Sequence, residues 1–287
     1  GSEMCIRDRT NSPLPGLNGT FLRVGSNLTG PGNLNLGSPT APIVVVGAST
    51  VNGSIAITGS NVRIVDVVKT NGGDPVNITA ASGNIEFVAN TLGGVVATPT
   101  ATNPGAVTLT ATSGQILGLN KSTRTSVRGG PLTLVAQAAD LKCNVSSLTS
   151  TTTSGGLTVS AVNGLTLDGV AAAGQNVSLN AVSGVAQVGA IVASGLTVTN
   201  TAGPVALTST SNAFSSVAVT NGSGNVDLTS SGGFTVVAPG VSAGTPTGGD
   251  GSISLRSVGG SINLLGMLAA GGDRVTLDAT AGTITQS

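Results

Sequence analysis

Histidine, tryptophan and tyrosine are absent from this chain of 287 residues, and four phenylalanines make up its aromatic content. Without histidine the commonest general base and metal ligand is missing. Without indole or phenol rings there are no broad platforms for sugar stacking, and a core that leans on aromatic bulk is excluded. Charge is equally sparse: eleven basic and eleven acidic residues cancel and together form 8% of the sequence. No electrostatic footprint for nucleic acid or anionic lipid exists, so no nucleic-acid partner is expected. Two cysteines, Cys5 and Cys143, stand 138 positions apart. They do not make a usual zinc site without histidine, and both are expected to be unpaired, Cys143 filling space as a small apolar residue. No run of ~18 apolar residues occurs, so no membrane span is expected in this chain. No cofactor is expected, and no catalytic, cofactor-binding or metal-binding residue is assigned.

What the sequence holds instead is a short phrase, apolar then small or polar then apolar, that returns at an almost constant interval. It reads Leu157-Thr158-Val159, Leu165-Thr166-Leu167, Val177-Ser178-Leu179, Val185-Ala186-Gln187, Leu196-Thr197-Val198, Val205-Ala206-Leu207, Val217-Ala218-Val219 and Val226-Asp227-Leu228. Every second phrase begins at 157, 177, 196 and 217, with steps of 20, 19 and 21; the interleaved set begins at 165, 185, 205 and 226, with steps of 20, 20 and 21. A fixed period near this length marks a solenoid, whose repeats must stack to bury their apolar sides. Within a phrase the period is two, so Val177, Leu179, Leu196, Val198, Val217 and Val219 are expected to face inward and Ser178, Thr197 and Ala218 outward. Coils that all run one way pair their equivalent strands in parallel, and crossovers between parallel strands are overwhelmingly right-handed. The expected fold is all-β, a right-handed parallel β-helix (a β-solenoid) with two-strand repeats of about 20–22 residues and a few loop insertions. The 44 glycines do not mean disorder, because 39% of the residues are hydrophobic and they alternate strictly.

Residues 1–9 differ abruptly from the rest and hold Glu3, Arg7, Asp8 and Arg9. Residues 2–9 resemble the conceptual translation of a sequencing adapter joined to a metagenomic read, so 1–9 are expected to be non-native and the remainder an open-ended piece of a longer protein. Residues 10–50, with Pro13, Pro15, Pro31, Pro39 and Pro42, read as an irregular opening segment with short strands at 21–24 and 43–46. Residues 51–287 are expected to form the β-helix. There Ile55 to Val76 and Ile64 to Ile85 both step 21, Val76 to Val107 and Ile85 to Ile116 both step 31, and Ile253 to Val275 and Ile262 to Ile284 both step 22. The long step places a loop at 90–103. Lys121, Arg124, Arg128 and Lys142 with the Ser/Thr tract 146–154 read as a second irregular region, 120–154, and 239–250 as a third loop.

Corners have their own signature. Asn-Gly pairs begin at Asn52, Asn71, Asn163 and Asn221, and pairs such as Ser82-Gly83 and Ser183-Gly184 precede the next strand; these residue types tolerate the positive φ of sharp corners. The phrases Val76-Asn77-Ile78-Thr79-Ala80-Ala81-Ser82-Gly83-Asn84-Ile85, Val107-Thr108-Leu109-Thr110-Ala111-Thr112-Ser113-Gly114-Gln115-Ile116 and Val275-Thr276-Leu277-Asp278-Ala279-Thr280-Ala281-Gly282-Thr283-Ile284 resemble the repeats of filamentous-haemagglutinin-type exoproteins. The resemblance covers residues 51 to 287. It implies a large bacterial β-helical adhesin, secreted or held at the cell surface, of a family often exported by two-partner secretion. It also implies a host-cell, matrix or glycan receptor as partner, and an outer-membrane transporter for the parent protein. The family's amino-terminal secretion domain is not recognisable in the sequence.

The expected function is therefore a non-catalytic extracellular rod or stalk that presents surface for adhesion or cell contact. The alternative is a structural subunit of a surface layer or filament, and a more distant one is a carbohydrate-active β-helix enzyme. Such an enzyme needs clustered carboxylates on one face, whereas the repeat sets Asp66 over Phe87, Asp168 over Val188 and Ala206 over Asp227, stacking no two of them. Residues 248–253 begin like a calcium-binding nonapeptide, but Ile253 stands where a ligand aspartate belongs and the motif does not recur. Thr197-Val198-Thr199 suits an ice-binding face, yet no flat threonine ladder is expected to repeat from coil to coil. Uncapped coil edges expose unpaired backbone groups, so end-to-end self-association is expected. In the last repeat Arg256 and Asp278 fall at equivalent positions and are expected to pair on the outside, beside inward Leu255 and Leu277.

Overall fold

The computed structural model describes residues 22–24, 28–30, 32–50, 53–71, 73–88, 95–97, 104–119, 124–244 and 251–287. Among them there is no helix; the regular elements are strands, and they pair in parallel. The fold is a parallel β-solenoid. Two compact units divide the chain, Gly1–Gly130 and Pro131–Ser287.

In the first unit three ladders run side by side. The first pairs Leu34 with Ile55, Ile55 with Val76 and Val76 with Val107. The second pairs Ile43 with Val62, Val62 with Ile85 and Ile85 with Ile116. These are the two expected phrases, and the coils begin before residue 51. The third ladder is additional: Ala48 pairs with Val68, Val68 with Val95 and Val95 with Val127. Its strands are two or three residues long, and in two of them the second inward position is a threonine, which weakens the apolar signal. Thr50 and Thr70 are buried there, their hydroxyls donating to the corner carbonyls of Gly32 (2.9 Å) and Asp74 (2.8 Å).

The step expected from Ile64 to Ile85 needs correction. Ile85 pairs with Val62 and Phe87 with Ile64, a step of 23 residues; the slip is invisible to alternation because Val62 and Ile64 both face inward. Asp66 is therefore not aligned with Phe87. The 31-residue steps hold as expected. Within the loop expected at 90–103, Val95–Ala97 is a strand, and the rest of 90–103 lies outside the described residues, as do 1–9.

The region expected to be irregular at 120–154 is mostly strand: Val127–Arg128 in the first unit, Pro131–Asn144 and Ser147–Thr152 in the second. In Ser147–Thr152 the period of two is intact, with Leu148, Ser150 and Thr152 buried. Polar residues occupy both sides, so a search for apolar phrases passes over it. Lys121 lies outside the described residues. Strand Phe234–Ala243 likewise takes in part of the loop expected at 239–250, whose residues 245–250 are not described.

The second unit has the same three-ladder plan. Its first ladder carries Ala139, Leu157, Val177, Leu196 and Val217 in register. Its second carries Leu165, Val185, Val205, Val226, Ile253 and Val275. The third runs through Val170 and Ile191, touches Ala213, and includes Phe234, Ile262 and Ile284. The six side chains expected inward are buried, Ser178 is half-buried and Thr197 is exposed. Ala218 departs from expectation at 3% exposure. Val217 pairs with Val236 but Val219 with Val241, so the next coil spends residues 237–240 in a bulge alongside Ala218, which removes it from solvent.

Two inward hydroxyls stand out against this apolar interior. Ser150 Oγ and Thr152 Oγ1 are buried and find no hydrogen-bond partner among the described residues, next to Leu134 and Ala136 on the neighbouring strand. A desolvated, unmatched hydroxyl costs about 1–3 kcal/mol. Thr152→Val keeps the branched shape and removes that cost, so its urea midpoint is expected to rise, with a gain of about 1–3 kcal/mol. An unchanged or lower midpoint shows that the hydroxyl is satisfied.

Candidate functional site

The surface that the coils present follows from the same alternation. Between each pair of inward residues one side chain points out, and parallel register stacks these outward residues into columns in which neighbours are about 4.8 Å apart. In the first unit one column is Thr58, Thr79 and Thr110, beside another of Ala56, Asn77 and Thr108. In the second unit the first ladder gives a column of Thr158, Ser178 and Thr197, which ends at the covered Ala218, and beside it Ser160, Asn180, Thr199 and Thr220. Asp140 and Lys142 precede these two columns on the coil before. Around Thr197 and Thr199 no flat threonine ladder forms, as expected, since the neighbours of Thr197 are Ser178 and Ala218 and those of Thr199 are Asn180 and Thr220; in the first unit Thr58, Thr79 and Thr110 do stack in a single column.

Charges on these surfaces meet one another. The corrected register puts Glu86 beside Arg63, with Arg63 Nε 3.9 Å from Glu86 Oε2. Arg256 and Asp278 pair as expected, Nε to Oδ2 at 3.3 Å, both about half exposed. Asp227 sits over Ala206, and partial burial raises its carboxyl above the usual range. A shallow recess in the first unit is lined by Val46, Gly47, Ala48, Ser49, Asp66, Val67 and Lys69. Its carboxylate is turned onto its own backbone, Asp66 Oδ1 accepting from the Val67 N–H at 2.7 Å. Among the described residues no three His, Cys, Asp or Glu side chains converge as a metal site would require, and no helix is long and apolar enough to cross a membrane.

Where polar chemistry is concentrated, it faces inward at the corners. Asn200 and Asn221 are stacked in register and buried. Asn200 Nδ2 donates to Asn221 Oδ1 (2.8 Å) and to the carbonyls of Ala202 and Gly203, while its Oδ1 accepts from the Gly184 N–H at 2.9 Å. Gly184 turns this corner at φ +107°, a conformation other residues rarely adopt. A second knot joins Asn212 and Gln187 across neighbouring coils. None of these asparagines is marked by the apolar phrase; the available signal is an asparagine at the last inward position of Val198-Thr199-Asn200 and Val219-Thr220-Asn221.

Cys143 is buried and has no disulfide partner among the described residues, and burial pushes its thiol up to about 12. The thiolate is the reactive form, so a maleimide or disulfide reagent is expected to leave Cys143 untouched at neutral pH until the second unit unfolds. Labelling kinetics across a urea series, read at the Cys143 peptide so that Cys5 is counted apart, check this: rapid modification of Cys143 in the folded chain contradicts the burial.

No protein-family model, no curated protein and no solved structure matches this chain.

Proposed function

We propose that the chain is a non-catalytic stalk segment of a secreted or surface-bound bacterial adhesin, of the filamentous-haemagglutinin type, that presents its outer coil faces to a host-cell, matrix or glycan receptor. The supporting observation is the set of outward columns: parallel register turns short Ser, Thr and Asn side chains into regular arrays on a backbone fixed by its own ladders. Such arrays offer many hydrogen-bonding groups at little conformational cost, since short side chains lose little rotamer freedom on contact. With so little charge around them, recognition rests on shape and hydrogen bonding, so binding is expected to vary little with ionic strength. Export of the parent protein through an outer-membrane transporter belongs to the same proposal.

The test is retention of the purified 287-residue chain, coupled to beads, on cultured epithelial cells, matrix proteins and a glycan array. Saturable binding that survives raised salt supports the reading. No binding on any of the three overturns it, and release of reducing ends from a polysaccharide in the same assays transfers the assignment to a carbohydrate-active enzyme.

A further inference from the structure

We propose that Asn163-Gly164 is a site of spontaneous covalent modification, deamidation through a cyclic imide, and that the fold withholds the same chemistry from the sister pair Asn221-Gly222. In this reaction the backbone nitrogen after the asparagine loses its proton and attacks the side-chain Cγ. The Cγ–Nδ2 bond breaks, the side-chain nitrogen leaves as ammonia, and water opens the ring at either carbonyl to give aspartate or isoaspartate. Water is the one co-reactant. Glycine in the following position leaves that nitrogen unshielded by a Cβ, so both pairs are intrinsically reactive. What separates them is whether the attacking N–H is free and whether the asparagine side chain can swing towards it.

At Asn163 both conditions are met. The residue is exposed at the corner after Leu157–Ala161. Its side chain is held by one exposed hydrogen bond, Nδ2 donating to Asn144 Oδ1 at 3.0 Å. Among the described residues the Gly164 N–H has no hydrogen-bond acceptor, and a Cβ built on Gly164 would stand 3.2 Å from the Ser183 carbonyl oxygen, a close approach but a looser one than at Gly222.

At Asn221 neither is met. The residue is buried, its Oδ1 accepts from Asn200 Nδ2 at 2.8 Å, and its Nδ2 donates to the Gly224 carbonyl at 2.7 Å. The Gly222 N–H is itself engaged, donating to the Asn200 carbonyl at 2.9 Å. A Cβ on Gly222 would stand 2.3 Å from the Thr201 carbonyl oxygen, so the backbone of the preceding coil lies close against it. The remaining pairs, Asn18-Gly19, Asn52-Gly53 and Asn71-Gly72, each include a residue outside the described set. Modification of Asn163 places a new carboxylate beside Asn144. The isoaspartate product also lengthens the backbone by one methylene at a corner that fixes the register of the following strand.

The experiment is incubation of the folded 287-residue chain at mildly alkaline pH, with a parallel sample in concentrated urea. Peptide mass spectrometry and isoaspartyl-methyltransferase labelling then give the rate at each site. In the folded chain Asn163 is expected to react on the order of 100-fold faster than Asn221, because several hydrogen bonds, each contributing a factor of roughly five, must open together at Asn221. In urea the two rates converge. Asn163→Gln removes the Asn163 signal and leaves the slow reaction at Asn221 unchanged. Equal rates at the two sites in the folded chain overturn the proposal, as does an Asn163 that stays intact while the urea sample reacts.

Discussion

Leu179→Ala is expected to lower the unfolding free energy of the second unit by about 2–5 kcal/mol, the range for emptying a fully enclosed leucine site in a packed core. Leu179 sits in the middle of the first ladder, with Val159 and Val198 stacked on its two sides at the same inward position. The coils are held in place by their own backbone ladders, so neighbours cannot collapse into the space, which puts the cost towards the upper end. Leu277→Ala is expected to cost less, roughly 1–2 kcal/mol. Leu277 faces inward under Leu255 as expected, but it is only half-buried on the last described coil. Its neighbour Asp278, exposed and paired with Arg256, is expected to change stability by ~0–1 kcal/mol on replacement by alanine, since such pairs are solvated and screened. Urea unfolding of the three variants orders them: Leu179 first, Leu277 second, Asp278 last. If Asp278→Ala were the most damaging, the inward and outward assignments of the last coils would both be wrong.

That ordering draws on what is legible in the chain. The phrase Val177-Ser178-Leu179 carries the strand, its pleat and its inward pair together, because an apolar residue at every second position has only one way to bury both. The distance between phrases adds the parallel register, and Arg256 over Asp278 shows that it is read correctly to the residue where coils are regular. Legibility fails where either signal is degenerate. Val62 and Ile64 are interchangeable as phrase leaders, so a slip of two between Ile64 and Ile85 leaves every apolar residue inside. The same slip conceals the contact between Arg63 and Glu86. The third ladder escapes notice because its strands are short and place Thr50 and Thr70 inside. Threonine there is read as surface although its hydroxyl is matched by a corner carbonyl.

The outward columns were half legible. Strict alternation makes Thr197 and Thr199 face out, but whether they align with like residues on the next coil depends on register carried across loops of unequal length. Thr79 and Thr110 align only because the extra residues between them leave the ladder undisturbed. The buried amides lie further from sequence reasoning still. Asparagine in an Asn-Gly pair reads as an exposed turn residue; in Asn163 that is what it is, whereas Asn221 is turned inward by its place at the end of a strand and by the stacked Asn200.

Asn212 is the extreme case, and its replacement by alanine is expected to cost about 3–5 kcal/mol despite the loss of only a few atoms. The residue is 0% exposed. Its Oδ1 accepts from the Ile191 N–H at 2.9 Å and from Gln187 Nε2. Its Nδ2 donates to the carbonyls of Leu207 (3.2 Å) and Thr229 (3.0 Å) and to Gln187 Oε1 (3.1 Å). One amide thus fastens three successive coils at a place where the third ladder is reduced to a single bridge between Val192 and Ala213. Alanine leaves a buried N–H and two carbonyls without partners, each of which costs about 1–3 kcal/mol unless water reaches it. Gln187→Ala is the control: Gln187 is half-buried, solvent can replace its contacts, and a loss of about 1 kcal/mol is expected. Asn212→Asp adds a sign that can be read against pH. Ionised, the new carboxyl faces two carbonyl oxygens in a desolvated site, so its folded-state pKa lies above the unfolded value, and the variant loses stability as pH rises from the unfolded pKa through the raised folded one. At acid pH the protonated form regains one donor and part of the deficit is restored. Urea midpoints of the three variants at acid and neutral pH check the whole argument: a loss below about 1 kcal/mol for Asn212→Ala, or an Asn212→Asp variant that is relatively weaker in acid, would show that this amide does not hold the coils together.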